Sequence, residues 1–157
     1  MDQSKTNNRN KKIQKMKIPQ RIIRNFPQVR KVQDATKTIA VRVLKRDSQV
    51  GKKKAPAACA LARACVRERI ADGALIGIGV TWLIKGSIAT RYKTSVGVSR
   101  EITSFDRHQV FAEGSDYKLS KISPSNRLDV PRSGKHSGLR HGTEQTPHKT
   151  ADIRVIK

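Results

Sequence analysis

Residues 75–94 read LIGIGVTWLIKGSIATRYKT, and this stretch decides the fold. Successive side chains of a strand point to opposite faces. Over 75–84 that alternation puts Ile76, Ile78, Val80, Trp82 and Ile84 on one side, with Gly77 and Gly79 on the other. Residues 88–94 alternate again and carry the β-branched and aromatic types that suit a pleated surface. Between them Lys85-Gly86 suits a tight turn, since glycine reaches positive φ without a steric penalty. The stretch is therefore expected to be two strands joined as a hairpin.

Working outward toward the N-terminus, Asp72-Gly73 reads as a helix stop. Ahead of it, 57–70 places Ala58, Leu61, Ala62, Cys65 and Val66 at helical spacing, and Pro56 suits a helix start. Gly51 to Lys54 reads as a basic loop. Residues 38–44 alternate with Ile39, Val41 and Val43 on one face, which predicts a strand. Toward the C-terminus, Val98, Ile102 and Phe105 have the spacing of a short helix that Ser99 is placed to cap, and 117–122 predicts a last strand. The order is β-α-β-β-α-β. It implies an α+β fold with helices on one face of a small antiparallel or mixed sheet.

Several segments of this core carry a resemblance. They are Thr38-Ile39-Ala40-Val41, Cys59-Ala60-Leu61-Ala62-Arg63-Ala64, Arg91-Tyr92, Arg100-Glu101-Ile102, Ser104-Phe105-Asp106-Arg107 and Tyr117-Lys118-Leu119. Over residues 36–122 the chain resembles a group of small phage-encoded proteins that pair a strand with a C-x-LA helix and a later FDR segment. The resemblance implies a viral origin and supplies no catalytic site.

Charge dominates the rest of the reading. The 157 residues include 34 Lys plus Arg against 12 Asp plus Glu, a net charge of +22. Residues 1–34 hold ten basic and two acidic side chains, 35–123 hold seventeen and seven, and 124–157 hold seven and three. The first segment is rich in Asn and Lys and broken by Pro19 and Pro27, so it is expected to be a basic extended arm. The last contains Pro124, Pro131 and Pro147 and is expected to be an extended basic tail, with a further edge strand at 152–157. The small α+β domain then occupies 35–123. Only 36% of the chain is hydrophobic and 4% aromatic, so its core is modest beside the roughly 45–50% apolar content of ordinary globular chains.

The longest apolar run, 74–84, falls short of the roughly 20 residues that span a bilayer. The N-terminus lacks the apolar segment of a secretory signal. Cys59 and Cys65 sit six apart on one expected helix, about 9 Å of rise, too far to pair. Unpaired cysteines point to a reducing compartment such as a cytoplasm; for a viral protein the expected location is the host cytoplasm or the virion.

Other motifs carry little chemistry. Gly77-Ile78-Gly79 resembles a dinucleotide loop, but Trp82 stands where the third glycine belongs. It reads as a packing glycine pair. His136, His141 and His148 have no nearby cysteine or carboxylate to complete a zinc site. Cys59 with His108 would be a nucleophile and base, but its apolar surroundings favour an inert thiol. Glu101 and Asp106 are flanked by Arg100 and Arg107, which favours local ion pairing over acid–base work. Arg91 and Lys93 share a strand face, and Arg42 is a candidate to join them on an exposed sheet surface. Trp82, Tyr92 and Tyr117 are the candidates for base-stacking platforms, with the core as the alternative place for each.

These observations predict a non-enzymatic protein without a cofactor, binding nucleic acid by neutralising its phosphate backbone. RNA is favoured over DNA, because basic arms around a small domain are common in ribonucleoprotein components. The expected contacts are Arg9, Lys11, Lys12, Lys15, Lys17, Arg21 and Arg24 in the arm, and Lys52, Lys53 and Lys54 in the loop. The alternative is a virion structural protein whose arms wrap neighbouring subunits.

Overall fold

The computed structural model describes residues 16–129. In chain order they form α1 (Gln20–Asn25), β1 (Lys31–Asp34), β2 (Ile39–Arg42), α2 (Lys45–Val50), α3 (Ala60–Arg67), β3 (Gly73–Ile76), β4 (Val80–Lys85), β5 (Ile88–Thr94), α4 (Val96–His108) and β6 (Asp116–Ser120). A single 3-10 turn, Pro124–Asn126, follows. The class is α+β, as expected. No helix among the described residues is long and apolar enough to cross a membrane.

The deciding stretch contains one more reversal than its alternation implied. β3 pairs antiparallel with β4, and β4 with β5, so residues 73–94 form a meander. Gly77, Ile78 and Gly79 are the first turn, not the middle of a strand. A Cβ on Gly77 would lie 2.6 Å from the Val80 carbonyl oxygen, so glycine is needed where the chain doubles back. The turn's three carbonyls are all bonded: Thr94 donates its hydroxyl to Gly77 O (2.7 Å) and its N–H to Gly79 O (3.1 Å), and Ser99 donates its hydroxyl to Ile78 O (2.6 Å). The extra residues split the single apolar side. Ile76 faces the α3 side, Val80, Trp82 and Ile84 face the opposite side, and Ile78 is exposed. The second turn is as expected, with Gly86 at φ +57°.

The sheet order is β2-β6-β5-β4-β3. β1 joins it in parallel, beside Ile88–Arg91 of β5, while β6 pairs with Lys93 and Thr94 farther along the same edge. Ala35 bridges the two: its N–H donates to Arg91 O (2.9 Å) and its carbonyl accepts from Ile122 N (3.2 Å). Two strands thus share one edge of β5.

Each face of the sheet has its own core. On one side Leu61, Ala64 and Cys65 of α3 and Val98, Ile102 and Phe105 of α4 pack on Val41, Ala74, Leu83 and Leu119. Phe111 stands edge-on to both Phe105 and Tyr117. On the other side Ile22 of α1, Val29 and Val32 pack on Leu75, Trp82, Ile84 and Ala89. This second core corrects the N-terminal boundary of the domain. Residues 20–34, assigned to the arm by composition, form α1 and β1. They are folded because they cover a sheet face that would otherwise leave Trp82 and Ile84 in water, at about 1.5–3 kcal/mol per large apolar side chain. Residues 1–15 and 130–157, with the edge strand expected at 152–157, lie outside the described residues.

The helices differ from expectation at their ends. α3 starts at Ala60, because Ala58 N–H bonds back to Ala55 O in a turn (2.9 Å). α4 is capped by Ser95, whose hydroxyl accepts from Val98 N. α2 has no apolar periodicity, and its buried residues are Asp47 and Ser48. It is held by charge: Asp47 accepts from Leu44 N (2.9 Å) and, through both carboxylate oxygens, from Arg67 of α3.

Candidate nucleic-acid interface

The expected contacts fall into two groups that the fold separates. Lys17, Arg21 and Arg24 are exposed beside or on α1, whose Ile22 anchors it to one face of the sheet. Arg21 and Arg24 are three apart and so share a side of that helix. Lys52, Lys53 and Lys54 are exposed on the loop joining α2 to α3, on the other face. Arg9, Lys11, Lys12 and Lys15 lie outside the described residues.

The lysine loop is tightly held at its base. Gly51 is buried, and a Cβ there would meet Ala60 N at 2.8 Å, Asp47 O at 2.9 Å and the Phe105 ring at 3.0 Å. Lys52 N–H donates to Ala58 O (2.8 Å), and Lys54 N–H to the Asp106 carboxylate (2.8 Å). Lys54 has φ +54°, a left-handed conformation uncommon for a side chain other than glycine. Asp106 thus serves a backbone amide. Glu101 does the same for Ala112 N (2.9 Å). The expected pairing of these carboxylates with Arg100 and Arg107 is not found among the described residues.

A third cation group was not anticipated. Arg30 and Lys31 both donate their N–H groups to Ser87 O, at 2.7 and 3.2 Å. Lys31 is opposite Ile88, and Ile88 is opposite Lys85, so the two lysines flank one residue of β5. Phe26, just after α1, packs on Gly73 at this same end of the sheet, since Gly73 pairs with Ile84 beside Lys85. Arg30, Lys31 and Lys85 are exposed and continue the α1 cations around the β4–β5 turn. The uninterrupted apolar run Trp82-Leu83-Ile84 was the available signal, because it demands cover on both faces. Nothing local names the covering segment.

Arg42 and Arg91 do not form the exposed patch that alternation allowed. Arg91 donates from Nε to Asp34 at 2.7 Å and from its guanidinium to the Asn126 carbonyl, and its side chain is 15% exposed. Arg42 is exposed but paired with Asp116 at 3.3 Å. Arg67, the remaining ion-paired arginine among the described residues, lies between Asp47 and Glu68 and also bonds Arg42 O. Lys93 keeps its exposure and shares a sheet face with Lys118 of β6.

The aromatic side chains are core. Trp82 and Tyr117 are buried, and half-buried Tyr92 packs on the α3–α4 cluster. Burial, followed by the negative Glu101, pushes the Tyr117 phenol up to about 12, and its hydroxyl donates to Ala112 O at 2.6 Å. Cys59 and Cys65 are free and buried, and burial raises both thiols, Cys65 to about 12. A thiol so held in its neutral form is a poor nucleophile. A hollow of about 390 Å³ opens between α2 and the segment after α4, bordered by Lys45, Ser48, Gln109, Phe111 and Glu113. His136, His141 and His148 lie outside the described residues.

Compared with known proteins, the chain matches no family model, and no curated protein or solved structure is significantly similar to it.

Proposed function

We propose that this protein is a non-enzymatic nucleic-acid-binding protein that neutralises the phosphate backbone, with RNA slightly favoured over DNA as its partner. One observation carries the reading. Lys52, Lys53 and Lys54 are presented together on a loop whose base is locked, and their side-chain ammonium groups form no ion pair among the described residues. Cations that repel one another across a surface are stabilised by a polyanion that approaches them. Phosphate contact needs no aromatic platform and no base-reading pocket. The basic α1 group and the cations of residues 1–15 and 130–157 add to the same attraction. The resemblance to small phage-encoded proteins gives this activity a viral setting, in the host cytoplasm or the virion.

Filter binding of RNA and DNA across a salt series tests the proposal, with protein first freed of nucleic acid by nuclease and a high-salt wash. Binding is expected at low salt and should weaken steeply as salt rises, because each phosphate neutralised releases condensed counterions. Replacing Lys52, Lys53 and Lys54 by Gln should lower the steepness of the log–log plot by about 3. Weak binding at low salt, or affinity indifferent to salt, would overturn the proposal. Self-assembly of the nuclease-treated protein would favour the virion structural alternative.

A further inference from the structure

We infer that the domain joins two separate nucleic-acid segments, one on each face of its sheet. The inference rests on the backbone-binding reading above and adds its geometry. Two cation groups project in opposite directions. Arg21 and Arg24 stand on α1, which packs through Ile22 on Trp82 and Ile84. Lys52, Lys53 and Lys54 stand on the loop fixed to α3 and α4, which pack on Leu83 and Ala74. Leu83 and Ile84 are neighbours in β4, and neighbours in a strand face opposite sides.

The groups are also displaced along the strands. Ile76 donates its N–H to Pro56 O at 2.9 Å, so the chain just after the lysine loop meets the last residue of β3. Phe26, at the end of α1, packs on Gly73, the first residue of β3. Arg30, Lys31 and Lys85 extend the α1 group around that first end, away from the lysine loop. A helix with its side chains is about 10 Å thick, so the two cationic surfaces are separated by roughly 20 Å or more of packed protein. One straight row of phosphates cannot lie along both. Each group takes its own segment, and the locked base of the lysine loop holds the two in a fixed relation.

The test uses the full-length protein and short RNA duplexes, half carrying a donor dye and half an acceptor, with protein limiting. Wild-type protein is expected to produce energy transfer between duplexes. Two variants keep one group each: one with Arg21, Arg24, Arg30, Lys31 and Lys85 all replaced by Gln, and one with Lys52→Gln, Lys53→Gln and Lys54→Gln. All eight side chains are exposed, and circular dichroism verifies that both variants fold. Each variant should still bind a single duplex by filter binding but lose the transfer. Transfer that persists in either variant overturns the two-faced arrangement, and so does wild-type protein that binds duplex without transfer. If wild-type protein binds no duplex at low salt, the nucleic-acid reading itself fails, and the bridge with it.

Discussion

Asp34 and Arg91 face each other across the parallel β1–β5 pair, and their side chains meet at 2.7 Å. The second carboxylate oxygen of Asp34 accepts from Leu128 N at 2.6 Å, and the Arg91 guanidinium also donates to Asn126 O. One ion pair thus joins the N-terminal strand, the centre of the sheet and the segment that follows β6. It also explains how a short parallel strand is held beside β5 where β6 ends.

Removing one partner leaves a largely enclosed charge without its counterpart. Asp34→Ala should destabilise the fold by on the order of 3 kcal/mol. Urea unfolding reads this directly. Asp34→Ala combined with Arg91→Met should cost less than the sum of the two single changes, because the pair is removed together. Strict additivity would mean that the pair contributes little.

Gly51→Ala should destabilise by about 1–3 kcal/mol, the usual cost of overpacking a closed site. Its φ is −67°, so the cost is steric, from Ala60 N, Asp47 O and Phe105, and not conformational. The measurement is the thermal midpoint. Binding of RNA at low salt should fall with it, because the base of the lysine loop must shift to admit the methyl group.

Ser48→Ala should be neutral or stabilising by up to about 1 kcal/mol. The Ser48 hydroxyl is buried with no hydrogen-bond partner among the described residues, and an unmet buried hydroxyl lowers stability. Alanine is also the better helix former. A loss of stability on chemical unfolding would show that the hydroxyl bonds a group in the adjoining hollow.

Alkaline stability has a definite sign. Burial raises the Cys65 thiol from 9.0 to about 12 and the Tyr117 phenol from 10.0 to about 12. Both acids ionise more readily in the unfolded chain. Their contribution is complete below about pH 9 and is lost as pH rises toward 12. Unfolding free energy should therefore fall with pH over that range, and the fall should be shallower in Cys65→Ala. A flat profile from pH 9 to 12 would contradict it.

The helix phases of Leu61, Ala62 and Cys65, and of Val98, Ile102 and Phe105, were legible because helical periodicity is local. The Lys85-Gly86 turn was legible because only a few residues suit positive φ. Strand alternation is weaker information. It has the same period before and after a three-residue turn, so Gly77-Ile78-Gly79 was readable as strand. α2 was invisible because an ion pair with Arg67, twenty residues later, holds it in place of an apolar stripe.

The sequence by itself determined the α+β class, the two main helices, the β4–β5 turn and the excess of positive charge. These follow from residue types and short-range spacing. Only the tertiary structure decided that residues 20–34 cover the second face of the sheet and that Arg91 is spent on Asp34. It alone placed Lys31 and Lys85 on either side of Ile88 and set the α1 cations against the lysine loop across the sheet. Strand pairing joins residues more than fifty positions apart, as Asp34 and Arg91 are. Charge adds along a sequence regardless of order, but the direction in which each cation points is set by which strands pair and which face each helix covers.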